Sequence, residues 1–517
     1  MYIRGLQVRG LQALILAGAF ICTGPASAQK AKDTVRIGFY EPIGSVLIYD
    51  DPQPQNAFVT RAAFDTLICY APESKSFVPS LAKAWRQPDD KTLEFDLRDD
   101  VKFHDGAPLT AEDVAYTLNW LIDPASPYRF KENFSWVKEA TVVSPLTVRI
   151  AFREINPTAL SRLATSLFIL PKHVHEALAD KATFGRRTPI GTGPYRVAGV
   201  DLAKGIVLTR ATAYPQASPC KPAATVNRIE GLPMPDVQTQ AAQMITGGLD
   251  VMRISTREAG ETFEHDKRFV MTSIDGMMVQ YISFDAANRS GNPILSDVRV
   301  RRALVQAIDR QAIATSVTPG QKPPLKTDAL CFPVQIACAW NTVPPAFDRA
   351  AAKKLLVEAG YPNGFELELT AFASAAQLAE AIAGEFHKIG VRAKVSPVTL
   401  AAYRQKQRDG KLQAVVALWT SGGLPDSSST VDFLFAKGPR DFSRDGLIHQ
   451  LADEAMHTND EAARKSLYAR IYDRVNEQAY VLPISGRPDV FVHLNELNIG
   501  PGSLSPYSIE ANEFRWK

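Results

Sequence analysis

The chain has 517 residues, of which 45% are hydrophobic and 22% charged, and its formal net charge is +3 at pH 7. This composition is ordinary for a globular protein of several domains, and it argues against a fibrous or disordered chain. The near-neutral charge, without basic clusters, also argues against nucleic acid as the main partner.

The first 28 residues predict a secretory signal peptide. Arg4 and Arg9 supply the charged start, Leu11 to Ile21 the apolar core, and Ala26-Ser27-Ala28 the small-residue cleavage site. We expect cleavage after Ala28, so that the mature chain begins at Gln29. A membrane anchor is the alternative, but the apolar run is shorter than the ~20 residues that span a bilayer. No later stretch is apolar enough for a transmembrane helix, so we expect none in the mature chain.

The stretch Ala82 to Trp120 predicts a strand, a turn and a capped helix in one run. The segment Leu93–Arg98 alternates apolar and charged residues, which is typical of a half-buried strand. His104-Asp105-Gly106 predicts a turn. Thr110 followed by Asp113 three residues later is typical of a capping box at the start of a helix.

Further landmarks follow along the chain. They are the short motif Gly191–Tyr195 (GTGPY), a helix-like segment Val298–Ile313, and a helix, glycine stop and strand over Ala351–Thr370. A second helix that ends at Ile389-Gly390 and a strand over Val391–Val395 come next. The alternation of helix-like and strand-like segments favours an α/β architecture.

Together, these motifs and their order resemble the family 5 extracellular solute-binding proteins, the peptide, nickel and related-solute receptors of ABC importers. The resemblance implies an α/β fold of the three-domain, type II periplasmic binding protein class, a two-lobed clamshell with a two-segment hinge. On that analogy, domain I comprises residues 29–66, 190–280 and 493–517, domain II residues 67–189, and domain III residues 281–492. The hinge segments would be Val279–Ser283 and Val481–Ser485.

The cysteines predict at least one disulfide. Cys331 and Cys338 enclose a short loop, and export to an oxidising compartment makes a bridge between them permissible. Cys69 and Cys220 are either two free thiols or one long-range bridge. Cys22 lies in the leader. The bulky residues Phe20 and Ile21 precede it, where a lipoprotein signal would have small residues, so we expect no lipid anchor.

The segment Val415 to Ser429 is the strongest candidate for contact with a ligand. An apolar strand there leads Trp419 into a loop rich in glycine and serine, and binding groups concentrate in loops held by rigid strands. In peptide-binding relatives an acid that pairs with the peptide amine follows this tryptophan by three residues, whereas here that position is Gly422. Asp426 is the first acid after it, and we expect free-amine peptides to bind weakly unless Asp426 substitutes. Trp419 is either a pocket wall or ordinary core.

Six other residues are weaker ligand-binding candidates, each with a structural alternative. Met277 and Met278 precede the first hinge segment and serve either the core or an adaptable cleft. Arg404 and Arg408, four residues apart, either bind an anionic end of the ligand or form a solvated face. Tyr40 and Glu41 follow the first strand, where the resemblance implies the rim of the cleft.

The chain carries no recognisable catalytic or phosphate-binding motif. His173 and Glu176 would share a helix face, but two side chains are too few to fix a metal. We therefore expect no metal, no cofactor and no enzymatic activity. The predicted function is a periplasmic, monomeric receptor that closes around a small organic solute, peptide or peptide-like, and passes it to an ABC permease and its ATPase. A secreted hydrolase and a receptor that signals to a chemoreceptor are the alternatives.

Overall fold

A computed structural model describes residues 32–128, 131–187, 189–212, 214, 221–319, 324–505 and 507–517. The predicted signal peptide and Cys220 lie outside these ranges. Asp33–Lys517 forms one compact unit. No helix within the described ranges combines the length and the apolar character needed to cross a membrane.

The described residues form strands along the whole length of the chain. In chain order they are β1 (Thr34–Phe39), β2 (Ile68–Ala71), β3 (Ser76–Pro79), β4 (Ala82–Asp89), β5 (Thr92–Leu97), β6 (Val137–Ser144), β7 (Thr147–Phe152), β8 (Tyr195–Asp201), β9 (Gly205–Arg210), β10 (Arg228–Pro233), β11 (Val251–Ile254), β12 (Phe269–Ile274), β13 (Val279–Phe284), β14 (Glu366–Phe372), β15 (Arg392–Val398), β16 (Ala414–Trp419), β17 (Val481–Gly486), β18 (Asp489–Leu494), β19 (Leu497–Asn498) and β20 (Arg515–Trp516).

The α-helices of the same residues alternate with these strands. In chain order they are α1 (Pro54–Ala63), α2 (Ala111–Ile122), α3 (Ala159–Thr165), α4 (Lys172–His175), α5 (Val237–Thr246), α6 (Arg257–Glu261), α7 (Val298–Ala307), α8 (Arg310–Val317), α9 (Arg349–Glu358), α10 (Ala376–His387), α11 (Leu400–Arg408), α12 (Ser428–Phe435), α13 (Gly446–Met456) and α14 (Glu461–Gln478).

The first lobe contains a seven-stranded sheet in the order β12-β18-β11-β1-β10-β9-β8. Its strands come from three separate parts of the chain, because β18 returns from the C-terminal region and lies between β12 and β11. The aromatic core follows the same pattern: Tyr507 contacts Phe39 and Phe491, with ring centroids 5.6 Å apart in each pair. This arrangement is what a domain I built from three segments would produce, and its exact boundaries stay a prediction.

The run predicted as strand, turn and helix contains β4, β5 and α2. Its strands belong to a four-stranded antiparallel sheet in the order β4-β5-β7-β6, and α2 packs on that sheet. The capping box is confirmed, since the backbone N–H of Thr110 donates to Asp113 Oδ2 at 2.9 Å. The alternation in β5 is less regular than predicted. Glu94 is only 4% exposed, because Arg86 and Arg149 pair with its carboxylate and cover it.

The turn at His104 is tied to the motif Gly191–Tyr195, although 87 residues separate them. His104 Nδ1 accepts from the Gly191 N–H at 3.2 Å, so Nε2 carries the proton and donates to the Gly193 carbonyl at 2.8 Å. A Cβ on Gly191 would lie 2.0 Å from the Ala63 carbonyl oxygen. A Cβ on Gly193 would lie 2.5 Å from the Ala62 carbonyl oxygen. The two motifs therefore lock each other against the end of α1, and the predicted turn at His104 is confirmed.

The second lobe contains a five-stranded sheet in the order β15-β14-β16-β13-β17. The predicted glycine stops are confirmed, since Gly360 and Gly390 have φ of +92° and +89°. One prediction needs correction: the segment Val298–Ile313 is not a single helix. Asp309 interrupts it, because its side chain accepts from the Ala312 N–H at 3.0 Å and begins α8 as a new helix.

The disulfide between Cys331 and Cys338 is confirmed, with Cα atoms 5.7 Å apart. Cys69 is also disulfide-bonded, so it is not a free thiol.

Candidate functional site

The site lies where the chain crosses between the two large sheets. The first crossing runs from β12 to β13 and the second from β17 to β18, and β13 and β17 are antiparallel neighbours in the second sheet. These strands contain the predicted hinge segments. Every residue of β13 is buried, so the strand is packed on both faces instead of alternating. Ser485 Oγ donates to Gln280 Oε1 at 3.0 Å and joins the two crossings.

A narrow crevice with a volume of about 10 Å³, enough for about one water molecule, lies beside the crossings. Both lobes contribute to its wall, and the predicted residues Met277 and Met278 are part of it. The lining residues are Gly276, Met277, Met278, Thr420, Arg487, Asp489, Leu504, Ser505 and Ser508. Met277 is 3% exposed and belongs to the core of the second lobe, whereas Met278 is half-buried. Met277 therefore matches the core alternative, and contact of Met278 with a ligand stays a prediction.

Of the two arginines beside the crevice, Arg253 has a carboxylate partner and Arg487 has none among the described residues. Arg253 pairs with Asp489, whose second oxygen accepts from Ser508 Oγ at 2.6 Å. Arg487 donates to the Ser255 carbonyl at 2.5 Å, and no carboxylate among the described residues lies within ion-pair distance of it. Burial lowers the pKa of Arg487, and the nearby Arg253 lowers it further. Arg487 is thus a cation at the crevice wall without a counter-ion among the described residues.

Tyr40 follows β1 and reaches this region, whereas Glu41 is exposed. The Tyr40 hydroxyl donates to the Arg253 carbonyl, and burial raises the pKa of the phenol. Tyr40 therefore supports the backbone under the crevice. Its role as a ligand contact stays a prediction, as does that of Glu41.

Trp419 ends β16 and is half-buried against the second lobe. Its ring lies face to face with Phe433 of α12, with centroids 3.6 Å apart and an angle of 12° between planes. The Arg440 guanidinium lies 4.4 Å from the Phe433 centroid. Trp419 is thus held in a stack by its own lobe, and its contact with a ligand stays a prediction.

Asp426 has a role different from the one the sequence suggested. Its side chain is 0% exposed, and Arg464, 2% exposed, donates to both of its oxygens at 2.8 and 3.0 Å. Asp426 Oδ1 also accepts the Ser428 N–H at 2.9 Å and fixes the start of α12. Because this carboxylate is already paired and inaccessible, it is not a candidate for the ammonium contact of a ligand.

Two charges on opposite lobes were missed by the sequence analysis: Asp432 of α12 and Arg162 of α3. Asp432 is exposed to solvent, yet protein surrounds it closely enough that burial raises its pKa to about 6, despite the opposing effect of Arg162. Each residue occupies an unremarkable polar position on an amphipathic helix, so no sequence signal marks either of them.

The two lobes contact each other around the cleft. The Tyr70 hydroxyl of the first lobe donates at 2.7 Å to the carbonyl of Val334, inside the loop closed by the disulfide. On another part of the rim, Asn459 Nδ2 donates to Asp90 Oδ1 at 2.9 Å. These two hydrogen bonds join the lobes directly.

Arg404 and Arg408 lie on α11 with exposed side chains, and Arg408 donates to Gln405 Oε1 at 2.5 Å. An exposed helix face of this kind matches the solvated alternative. Their predicted contact with an anionic ligand stays a prediction and does not enter the proposed site.

Both histidines of α4 interact with side chains of the first lobe. His173 Nε2 lies 2.7 Å from Asp105 Oδ2 on the surface. His175 is fully buried between the hydroxyls of Tyr116 and Tyr128, at 2.7 and 3.0 Å, and burial lowers its pKa to about 4. In the described part of the chain, no group of three or more metal-binding side chains is placed to hold an ion.

Comparison with known proteins gives one consistent result. The sequence model of "Bacterial extracellular solute-binding proteins, family 5 Middle" matches residues 76–441. Heme-binding protein A of Haemophilus influenzae is 26% identical over 466 residues, which cover 82% of each chain. The dipeptide-binding protein of Escherichia coli is 25% identical over 455 residues, covering 82% of this chain and 83% of that protein. NikA from Brucella suis, in complex with Fe(III)-EDTA, has a similar fold, with a TM-score of 0.81 at 21% identity over 94% of this chain and all of that one.

Proposed function

Because this chain belongs to the bacterial extracellular solute-binding proteins of family 5, we propose that it captures a small organic solute, peptide or peptide-like, between its two lobes. The protein is exported, loses its leader after Ala28 and works in the periplasm as a monomer. It delivers the solute to the permease of an ABC importer, whose ATPase supplies the energy. No covalent step is needed for this function.

One observation supports the proposal: charged groups on both lobes have no ion-pair partner among the described residues. Arg487 lies at the hinge crevice, Arg162 on the first lobe and Asp432 on the second. Burying an unpaired charge is costly unless a partner replaces the lost water. A polar solute that supplies those partners favours the closed state over the open one.

The hinge converts that binding into a signal for the permease. A solute that contacts both lobes shifts the equilibrium toward the closed form by no more than its difference in affinity for the two states. The two antiparallel crossings at β13 and β17 can flex at their ends while the packed sheets remain rigid. The permease can then distinguish the closed, loaded receptor from the open one.

Likeness to relatives does not settle the solute. The relatives are named for heme and for a dipeptide, and the similar crystal structure holds a metal chelate. The chemistry of this chain's own cleft must therefore identify the ligand.

The proposal is tested with the full chain, expressed with its leader in a bacterial host. The mass of the exported protein should correspond to a start at Gln29. Denaturation should release a small organic molecule that mass spectrometry identifies, and adding it back to the stripped protein should reduce the radius of gyration in X-ray scattering. Purified protein that releases no solute, and that no member of a metabolite library compacts, would contradict the proposal. Turnover of a bound peptide would instead support the secreted hydrolase.

A matched pair of variants locates the site. Arg487→Gln removes the crevice cation and should weaken binding of the released solute by about tenfold or more, the value of a charged hydrogen bond. Arg404→Gln removes an exposed arginine of the second lobe and should leave the affinity unchanged. The opposite result would place the anion contact on α11, as the sequence first suggested.

A further inference from the structure

We propose that the ion pair between His457 of the second lobe and Glu154 of the first lobe is a pH-sensitive latch. It holds the two lobes together at acidic pH and weakens as the pH rises. The latch rests on the proposed function, since it requires lobes that separate and rejoin around a solute, and it adds regulation by pH to that cycle.

The latch lies on the rim, where the first lobe meets the loop between α13 and α14. His457 follows the last residue of α13, and its Nε2 lies 3.4 Å from Oε2 of Glu154, two residues beyond the end of β7. Two residues further along the same loop, Asn459 Nδ2 donates at 2.9 Å to Asp90, in the turn between β4 and β5. One short loop of the second lobe therefore contacts two separate segments of the first, and both contacts must break when the lobes separate.

The two partners of His457 make its contact depend on protonation. Nδ1 lies 2.7 Å from the backbone carbonyl oxygen of Asp453, which can only accept a hydrogen bond, so Nδ1 carries a proton. In the neutral imidazole, Nε2 then has a lone pair that faces the Glu154 carboxylate, which is also only an acceptor when ionised. The imidazolium alone donates from both nitrogens. Protonation therefore turns an unfavourable contact between the lobes into a favourable one.

The surroundings of His457 favour its charged form. The charged groups on the contacting segments are Asp90, Lys91, Arg153 and Glu154 on the first lobe and Asp453 and Glu454 on the second, with Lys437 paired to Asp453 at 3.2 Å. The hydrogen bonds to the Asp453 carbonyl and to Glu154 raise the pKa of His457, and the charges of both acids act in the same direction. Part of this effect, the part due to Glu154, exists only while the lobes are joined.

The direction of the pH dependence follows from that difference. In separated lobes His457 loses Glu154, so its pKa returns toward the ordinary value of about 6.5. The joined arrangement is therefore favoured in full below about pH 6.5, and this advantage is lost as the pH rises through the higher pKa of the joined lobes. The two side chains are 56% and 75% exposed, so the ratio of joined to separated lobes should change only about two- to fivefold.

Two other histidine–carboxylate pairs in the described part of the chain serve as internal comparisons. His173 pairs with Asp105 inside the first lobe, and His449 pairs with Asp441 inside the second. Neither pair breaks when the lobes separate. Their titration therefore leaves the equilibrium between joined and separated lobes unchanged.

The test follows the distance between the lobes in the solute-free full chain by single-molecule fluorescence energy transfer. The dyes are attached at Lys138→Cys and Lys394→Cys, which are exposed positions of opposite lobes. From pH 5.5 to pH 8.5 the ratio of joined to separated lobes should fall about two- to fivefold. The fall should disappear in His457→Gln and in Glu154→Ala, and it should shrink in 1 M NaCl, which screens an exposed pair.

Two controls separate the latch from other effects. His173→Gln removes the exposed pair inside the first lobe and should keep the full pH dependence. Asn459→Ala removes the uncharged contact and should lower the ratio by a similar factor at every pH, with the slope unchanged.

A ratio that does not vary with pH, or an equal slope in His457→Gln and the parent chain, would overturn the latch. No solute enters this measurement, so such a result leaves the release and rebinding of a solute to decide the proposed function separately. A single distance under all conditions, with and without the released solute, would contradict both the latch and the proposed movement of the lobes.

Discussion

The substitution Asp426→Asn separates a structural acid from a ligand-binding one. Asp426 and Arg464 are 0% and 2% exposed, and two hydrogen bonds of 2.8 and 3.0 Å join them. Asparagine keeps the shape of the side chain but removes its charge, so Arg464 is left as a buried cation without a counter-ion. Breaking a buried pair in this way costs about 3 to 5 kcal/mol.

The assay is denaturant unfolding followed by circular dichroism, with two comparison variants. Asp453→Asn breaks an ion pair whose side chains are 65% and 69% exposed, and it should cost no more than about 1 kcal/mol. Asp426→Leu combined with Arg464→Met replaces both charges with apolar groups and should recover most of the loss, because no charge remains unpaired. The folded Asp426→Asn protein should bind its solute with unchanged affinity.

Two results would refute this reasoning. An Asp426→Asn protein no less stable than Asp453→Asn would show that the pair is not desolvated. A stable Asp426→Asn protein with strongly weakened solute binding would restore Asp426 as the ammonium contact, as the sequence alone allowed.

Three further predictions concern the first lobe and the disulfide. In a thermal unfolding assay, Gly191→Ala should destabilise the protein by about 1 to 3 kcal/mol or more, since the new Cβ would collide with a carbonyl oxygen. Gly199→Ala is the control and should be nearly neutral, because open space surrounds its new Cβ. Replacing Cys331 and Cys338 with serine should cost about 2 to 3 kcal/mol, and peptide mapping of unreduced wild type should recover both in one linked species; two alkylatable thiols there would contradict the bridge. Folded His175 stays neutral to about pH 4, whereas the unfolded chain protonates it near pH 6.5, so the free energy of unfolding should fall by at most about 3 kcal/mol as pH drops through that window. The variant His175→Gln should lack this part of the pH dependence, and an identical slope in both proteins would assign it to other groups.

Much of the local structure was determined by the sequence itself. The strand of β5, the capping box at Thr110 and the glycine stops at Gly360 and Gly390 depend on residues a few positions apart, where periodicity and backbone conformation act directly. The bridge between Cys331 and Cys338 is equally local. The order of such motifs was enough to indicate the family and its two-lobed fold.

The pairing of charges around α12 was decided only by the tertiary structure. Asp426, Asp432 and Arg464 are close in space, yet nothing in their spacing shows which acid the arginine neutralises and which remains free. Arg162 meets this group from the other lobe, more than two hundred residues away in the chain. Exposure and charge pairing depend on how separately folded elements pack against one another, whereas sequence periodicity records only the face of each element.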